Sequence, residues 1–356
     1  MGPGRDSIER RAFGTLDDGR PVDEYTLVNG SGMSLSAINL GGIVTAVRVP
    51  DRASRFDNVV LALPTLADYV LRNPNFGTIV GRFANRIAGA RLVLDGEVHR
   101  LAVNDGPNTL HGGARGFGKR WWRLTPEPAS EDGSVSLRLD YESEDGEEGF
   151  PGRLAVAVHY TLTADNAWRI DYRASCDRAT VVNLSHHDYF NLAGAGSALG
   201  QSLTLAASRY LPIDSHLIPV GIAEVAGTPF DFRVATPISA RIRARDAQLA
   251  LARGYDHNWI IDRDGEGVAF AARLHDAASG RVLDIETSEP GMQFYSGNFL
   301  DGSLCGAGGT MIRQGDGVCL EPQHYPDSPN RPEFPSTILR PGETFRSSTV
   351  YRFGIA

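Results

Sequence analysis

Strict alternation of apolar and polar residues constrains this chain more than any other feature. In "RLAVAVHYTL", Leu154, Val156, Val158, Tyr160 and Leu162 fall on one face. "WRIDYRAS" repeats the pattern with Trp168, Ile170, Tyr172 and Ala174, and "SLRLDYES" with Leu137, Leu139 and Tyr141. Successive side chains of an extended chain point to opposite faces, so a period of two predicts half-buried β-strands. The turn-like "TADNA" and the other short connections predict that these three strands form an antiparallel meander. Further strands are expected at "MSLSAINL", "GVAFAARLHD", "RVLDIETS" and "STVYRF". Helical signals are weak: "PTLADYVLRNP" has room for a turn or two between Pro64 and Pro74. No low-complexity linker or fixed-period repeat divides the chain. The 356 residues are therefore expected to form one all-β domain, 1–356, a large antiparallel β-sandwich with few short helices.

Charge and composition remove several function classes. A formal net charge of −8 with no basic stripe argues against nucleic acid as a partner. No apolar run approaches the roughly 18 residues of a membrane helix, so no membrane partner is expected. The opening "MGPGRDSIERRAFG" is charged and lacks an apolar core, so it does not read as a signal peptide. Cys176, Cys305 and Cys319 are odd in number and show no CxxC or metal-like spacing. A reducing, cytoplasmic location is the expectation. The acidic "EDGEEG" from Glu144 to Gly149 reads as a solvated loop.

Strong polar residues gather in short segments between the strands: "GRFANRIAGA", "NTLHGG", "NLSHHDYFNL", "GYDHNW", "PGMQFYSGNFLDG" and "CLEPQHYPDSPN". Each mixes a candidate acid, base or hydrogen-bond donor with glycine or an aromatic. Aromatics beside polar tips suit sugars, whose rings have apolar faces and hydroxyl edges. No phosphate cradle is present, since "GARGFGK" lacks the Gly-Lys-Ser/Thr ending. No GxSxG elbow nominates a nucleophilic serine, although composition leaves a Ser-His-Asp triad open. Taken singly, Arg82, Arg86 and His111 read as structural residues more readily than as chemical ones, and the Asp256–His257 pair as a local hydrogen bond. Glu321 ends the apolar run "VCL", where a carboxylate is costly unless paired or useful. His111, His187, His257, Asp256 and Glu321 are ligand types, but their spacing matches no metal motif and no metal is expected. His186 and His187 are neighbours, so at most one is expected to face a given pocket.

Together these segments resemble the aldose 1-epimerase (galactose mutarotase) family over nearly the whole chain. The resemblance runs from "GTIVGRFANRIAGARLVLDG" and "LAVNDGPNTLHGG", through "DGEEGFPG" and "NLSHHDYFNL", to "CLEPQHYPDSPNRPEFPSTILRPGE". It implies a β-sandwich with an open sugar-binding cleft, an isomerase acting on a free monosaccharide, and no cofactor or metal. It implies a sugar-anchoring pair at Asn85 and Arg86, and a first histidine at His111. The catalytic acid falls on His187, with Tyr189 on the same side of an extended chain. Asp256 and Gln293 become substrate-binding residues, and Glu321 the catalytic base. The family more often has asparagine at position 186 and a small residue at 188; here they are His186 and Asp188. Alternation points both away from the cleft and allows a contact between them.

The chemistry suits the residue types. Ring opening takes a proton from the anomeric hydroxyl and gives one to the ring oxygen, and both oxygens sit on one carbon. A histidine with an ordinary pKa near 6.5 can donate, an ionised glutamate can accept, and each such transfer is worth roughly 10²–10⁴-fold. The reading is an aldose 1-epimerase acting as a monomer or weak homodimer. Its rivals are a β-sandwich glycoside hydrolase using Asp256 and Glu321, a non-catalytic sugar-binding module, and a relative acting on phosphorylated sugars.

Overall fold

The alternating segments form the strands expected of them. A computed structural model describes residues 7–356; the first six, part of the opening stretch read above for a leader, lie outside the described residues. Val135–Ser143, Leu154–Leu162 and Ala167–Cys176 pair antiparallel in succession, in register along their whole lengths. They belong to a nine-stranded sheet that continues through Phe345–Ile355, Arg281–Thr287 and Ala269–His275. The C-terminal strand thus sits between the meander and the strands from the 270s and 280s, a long-range pairing that locks the chain's end into the sheet's centre.

A six-stranded sheet packs against this one. Its order is Tyr189–Phe190, Val318–Gln323, Gly291–Tyr295, Asp256–Ile260, Arg209–Leu211 and Ala223–Glu224. Trp259, Met292, Phe294, Val318 and Leu320 from its inner face join Leu139, Val158, Ile170, Ile285 and Tyr351 of the larger sheet in one hydrophobic cluster. Phe190 meets Tyr351 across the layers at 5.5 Å between ring centroids. Side chains of this size each gain on the order of 1.5–3 kcal/mol on full burial. A five-stranded sheet from Ser7–Thr15 to Phe56–Asn58 adds Leu35, Val47 and others to the same cluster.

Two α-helices are present among the described residues, Leu66–Arg72 and Ala247–Ala252. The first is the short helix expected after Pro64; Thr65 caps it by accepting from the Asp68 N–H. The second carries no sequence signal strong enough to be expected. No helix among the described residues is long and apolar enough to cross a membrane. The acidic loop lies at the surface, with Glu144, Asp145 and Gly146 exposed, but it is also held from beneath. Arg82 is buried and donates to the carbonyls of Ser143, Glu144, Pro151 and Gly152. Glu147 accepts from the hydroxyls of Tyr141 and Ser143. A guanidinium with several donors satisfies the loop's carbonyls from below, so the segment is anchored rather than merely solvated.

Candidate active site

The outer face of the six-stranded sheet is polar where its inner face is apolar. Alternation along Asp256–Ile260 sends His257 and Trp259 inward and leaves Asp256 and Asn258 outward. Register then sets the outward residues in rows. Asn258 lies opposite Gln293, and Gln293 opposite Glu321. Asp256 lies opposite Tyr295, Tyr295 opposite Cys319, and Cys319 opposite Tyr189.

Above this floor stands Ser185–His187, paired with Thr78–Val80. The Ser185 hydroxyl donates to the Pro322 carbonyl at 2.8 Å and docks this strand onto the one carrying Glu321. His187 then turns toward the floor, with Nε2 3.8 Å from Glu321 Oε1. Its ring stacks on Tyr189 at 5.0 Å and meets His111 edge-on at 5.2 Å. His186 points the other way, into the core. Its Nδ1 lies 2.6 Å from Asp188 Oδ2, its Nε2 2.8 Å from the Tyr160 hydroxyl, and Trp168 packs against it. The contact that alternation allowed is made, and the two histidines do separate.

The third wall comes from Asn85, Arg86 and His111. Asn85 and His111 both adopt left-handed backbone conformations, with φ of 66° and 52°, a region that asparagine and histidine enter more readily than most residues. They are mutually bonded. The His111 N–H donates to the Asn85 carbonyl at 3.1 Å, and the Asn85 N–H donates to His111 Nδ1 at 3.2 Å. Gly112 follows with φ of 80°, and a Cβ there would lie 2.0 Å from the Gly81 carbonyl oxygen, so only glycine lets the loop close this tightly. Arg86 is buried and held by Asp105 at 2.8 Å. The Gln293 amide donates to Asp256 Oδ1 at 2.7 Å.

All eight residues expected at the site therefore converge. What burial does to them differs from the expectation of ordinary titration. Burial pulls His187 down to about 3, with its own backbone carbonyl opposing and His186 adding to the fall. Burial pushes Glu321 well above the usual carboxylate range, aided by Asp256 and Asp188 and opposed by Arg86. Asp256 is also raised by burial, with Arg86 and Gln293 opposing. His111 is driven well below 6.5 by burial, then by His187 and Arg86. Burial thus favours neutral imidazoles and a protonated Glu321, the reverse of an ionised glutamate beside a charged histidine. Desolvation penalises each charged form.

His111, His187 and Glu321 bring their ligand-type atoms within 4.8 Å of one another. The hydrogen bond from the Asn85 N–H occupies the lone pair of His111 Nδ1, so neutral His111 carries its proton on Nε2. It presents a donor to the cleft where a metal would need a lone pair. A donor suits a sugar oxygen.

Sequence reading missed Asn258 and Gln323, whose buried side-chain amides have no hydrogen-bond partner within the protein. Each lies two residues past a recognised site residue, Asp256 and Glu321, so alternation was the signal that could have found them. Gln293 Oε1 and Glu321 Oε2 are likewise unpartnered. Buried polar atoms rarely stay unpaired, and a floor with this many matches a ligand rich in hydroxyls. A cavity of about 710 Å³ lies elsewhere, on the outer face of the nine-stranded sheet beside Trp121 and Tyr141. There Arg123 and Arg138 share Asp140 at the surface, and His159, which also lines the space, pairs with Glu127 at 3.3 Å.

A family model described as aldose 1-epimerase matches residues 23–352. Galactose mutarotase of Rattus norvegicus is 41% identical over 353 residues, covering 98% of this chain and 99% of the relative. Aldose 1-epimerase of Escherichia coli (strain K12) is 39% identical over 340 residues, covering 94% and 96%. The crystal structure of galactose 1-epimerase from Lactobacillus acidophilus NCFM superposes with a TM-score of 0.87 at 29% identity, covering 99% of each chain.

Proposed function

This chain belongs to the aldose 1-epimerase family, and on that footing we propose that His187 and Glu321 are the acid and base by which it interconverts α and β anomers of free aldoses. The chain is an isomerase, a mutarotase. The observation that carries the residue assignment is the 3.8 Å approach of His187 Nε2 to Glu321 Oε1 on the polar face. Two groups this close reach the two oxygens of one hemiacetal carbon, each at ordinary hydrogen-bond distance.

Ring opening runs from the arrangement with carboxylate and imidazolium. Glu321 takes the proton of the anomeric hydroxyl, the C1–O1 bond becomes a carbonyl, and the C1–O5 bond breaks. His187 Nε2 gives its proton to O5. The aldehyde rotates about C1–C2, and closure returns the O5 proton to His187 and the Glu321 proton to O1. Both arrangements hold one proton on the pair, so neither direction needs a proton from solvent. Burial favours the arrangement reached after opening. A bound sugar has to bring the two closer in energy, and Arg86 already pulls Glu321 toward the carboxylate.

His111 Nε2–H supports the assignment of a donor to the developing charge at the ring oxygen. Asn85, Arg86, Asp256 and Gln293 hold the hydroxyls while the carbonyl end turns, and Tyr189 fixes the acid by stacking. The glycosidase rival has both of its carboxylates, Asp256 and Glu321, at the site, but the family match does not favour it, and the pair in approach is a histidine with a glutamate. A phosphate clamp on Arg86 is disfavoured by its pairing with Asp105. The preferred aldose we take to be galactose or glucose. We also propose a cytoplasmic monomer or weak homodimer; the three free thiols support a reducing compartment, and sedimentation velocity tests the assembly.

Polarimetry of fresh α-galactose and α-glucose tests the assignment. Glu321→Gln and His187→Asn should each lower kcat by at least about 10²-fold with the fold intact. Near wild-type turnover in either removes that residue from the mechanism.

A further inference from the structure

If His187 exchanges protons through Nε2, its other nitrogen has to keep a constant state through the cycle. The ring gives and takes at Nε2, so Nδ1 must carry a proton both when the ring is charged and when it is neutral. A partner for Nδ1–H decides whether the neutral ring adopts that tautomer.

The partner is on the floor of the site. Cys319 lies two residues before Glu321 on the same strand and face, and its sulfur is 3.5 Å from His187 Nδ1. Both residues are buried. We propose that Cys319 is the positioning residue for His187: its sulfur accepts the Nδ1–H and leaves Nε2 as the nitrogen that exchanges protons with the sugar. The titratable or charged groups around the ring are Glu321 and Cys319 from the floor, His111 from the facing loop, Tyr189 and His186 from its own segment, and more distantly Arg86 and Asp256. Glu321 stands on the Nε2 side, His111 meets the ring edge-on, Tyr189 lies on its face, and His186 points into the core.

The choice of sulfur has a chemical consequence. His186, one residue away, has a carboxylate on Nδ1, and a carboxylate there stabilises the imidazolium. A residue that must act as acid in one direction and base in the other is poorly served by such a bias. A thiol is a weak, uncharged acceptor. It fixes the tautomer without trapping the proton. Burial drives the Cys319 thiol well above its usual range, so it stays uncharged at neutral pH.

The inference rests on His187 being the acid, which His187→Asn tests separately. Cys319→Ala and Cys319→Ser are measured for kcat, KM and pH profile by polarimetry, with thermal melts as a check of folding. Cys319→Ala should lower kcat roughly 3- to 10-fold at unchanged KM and alter the pH profile. Cys319→Ser, which keeps an uncharged acceptor, should restore both. Equal losses in the two variants, or no loss in the alanine variant, overturn the proposal. On the wild-type enzyme, ¹⁵N shifts of labelled histidine should show His187 as the Nδ1–H tautomer at neutral pH; an Nε2–H ring overturns the proposal whatever the variants do.

Discussion

Burial drives His187 down to about 3 and Glu321 well above the ordinary carboxylate range, and this sets the pH behaviour of the site. A second proton adds to the pair only as pH falls toward 3. The single shared proton is lost only as pH rises through the raised value of the pair, whose two sites titrate as a unit. Between those limits the pair keeps the one proton that both directions need. Turnover should therefore show no step near 4.5, where an ordinary glutamate titrates, within the range in which the protein stays folded. A pH–kcat/KM profile measured on α-galactose checks this, and a step centred at 4.5 would mean that Glu321 titrates as an exposed carboxyl. Residue types and their order along the chain were legible before any coordinates, because "NLSHHDYFNL" and "CLEPQHYPD" carry them intact. Their proton affinities were not, because desolvation depends on what covers a side chain.

At the scale of elements, strand alternation distributes the chemistry. Ser185–His187 is only three residues long, yet it sends His187 to the site and His186 to the core. The His186–Asp188 pair is almost wholly buried, and Asp188 Oδ1 lacks a partner. Its removal should act on stability rather than chemistry. We expect Asp188→Ala to destabilise the fold by about 3 kcal/mol or more, as breaking a buried pair from one side does, with KM little changed. Urea unfolding beside polarimetry separates the two effects. His186→Asn should be mild in turnover; a large loss there, with His187→Asn mild, would exchange the roles of the neighbours. The meander was legible because one of its faces meets solvent and the period of two survives in the sequence. The site strands Asp256–Ile260, Gly291–Tyr295 and Val318–Gln323 are buried at every residue. With a core on one side and a polar pocket on the other, they show no exposed face and so no strong alternation.

At the scale of the whole molecule, one hydrophobic cluster draws on the nine-stranded, six-stranded and five-stranded sheets. The C-terminal strand is hydrogen-bonded between Ala167–Cys176 and Arg281–Thr287, so distant parts of the chain stabilise one another. We therefore expect one cooperative thermal transition, with calorimetric and van't Hoff enthalpies in agreement; two resolved transitions would divide the chain into separate units. The sequence alone determined the all-β class, the meander and the separation of the two neighbouring histidines, and it named the eight residues that the structure brings together. Each of these follows from local spacing or from a motif that is contiguous in the chain. Only the tertiary structure decided that His187 Nε2 stands 3.8 Å from Glu321, that Cys319 Sγ lies 3.5 Å from Nδ1, that Asn258 and Gln323 lie unpaired in the floor, and in which direction burial shifts each member of the pair. Those facts depend on strands over a hundred residues apart in sequence meeting in one register. Contact and desolvation belong to that meeting, and no stretch of chain encodes them by itself.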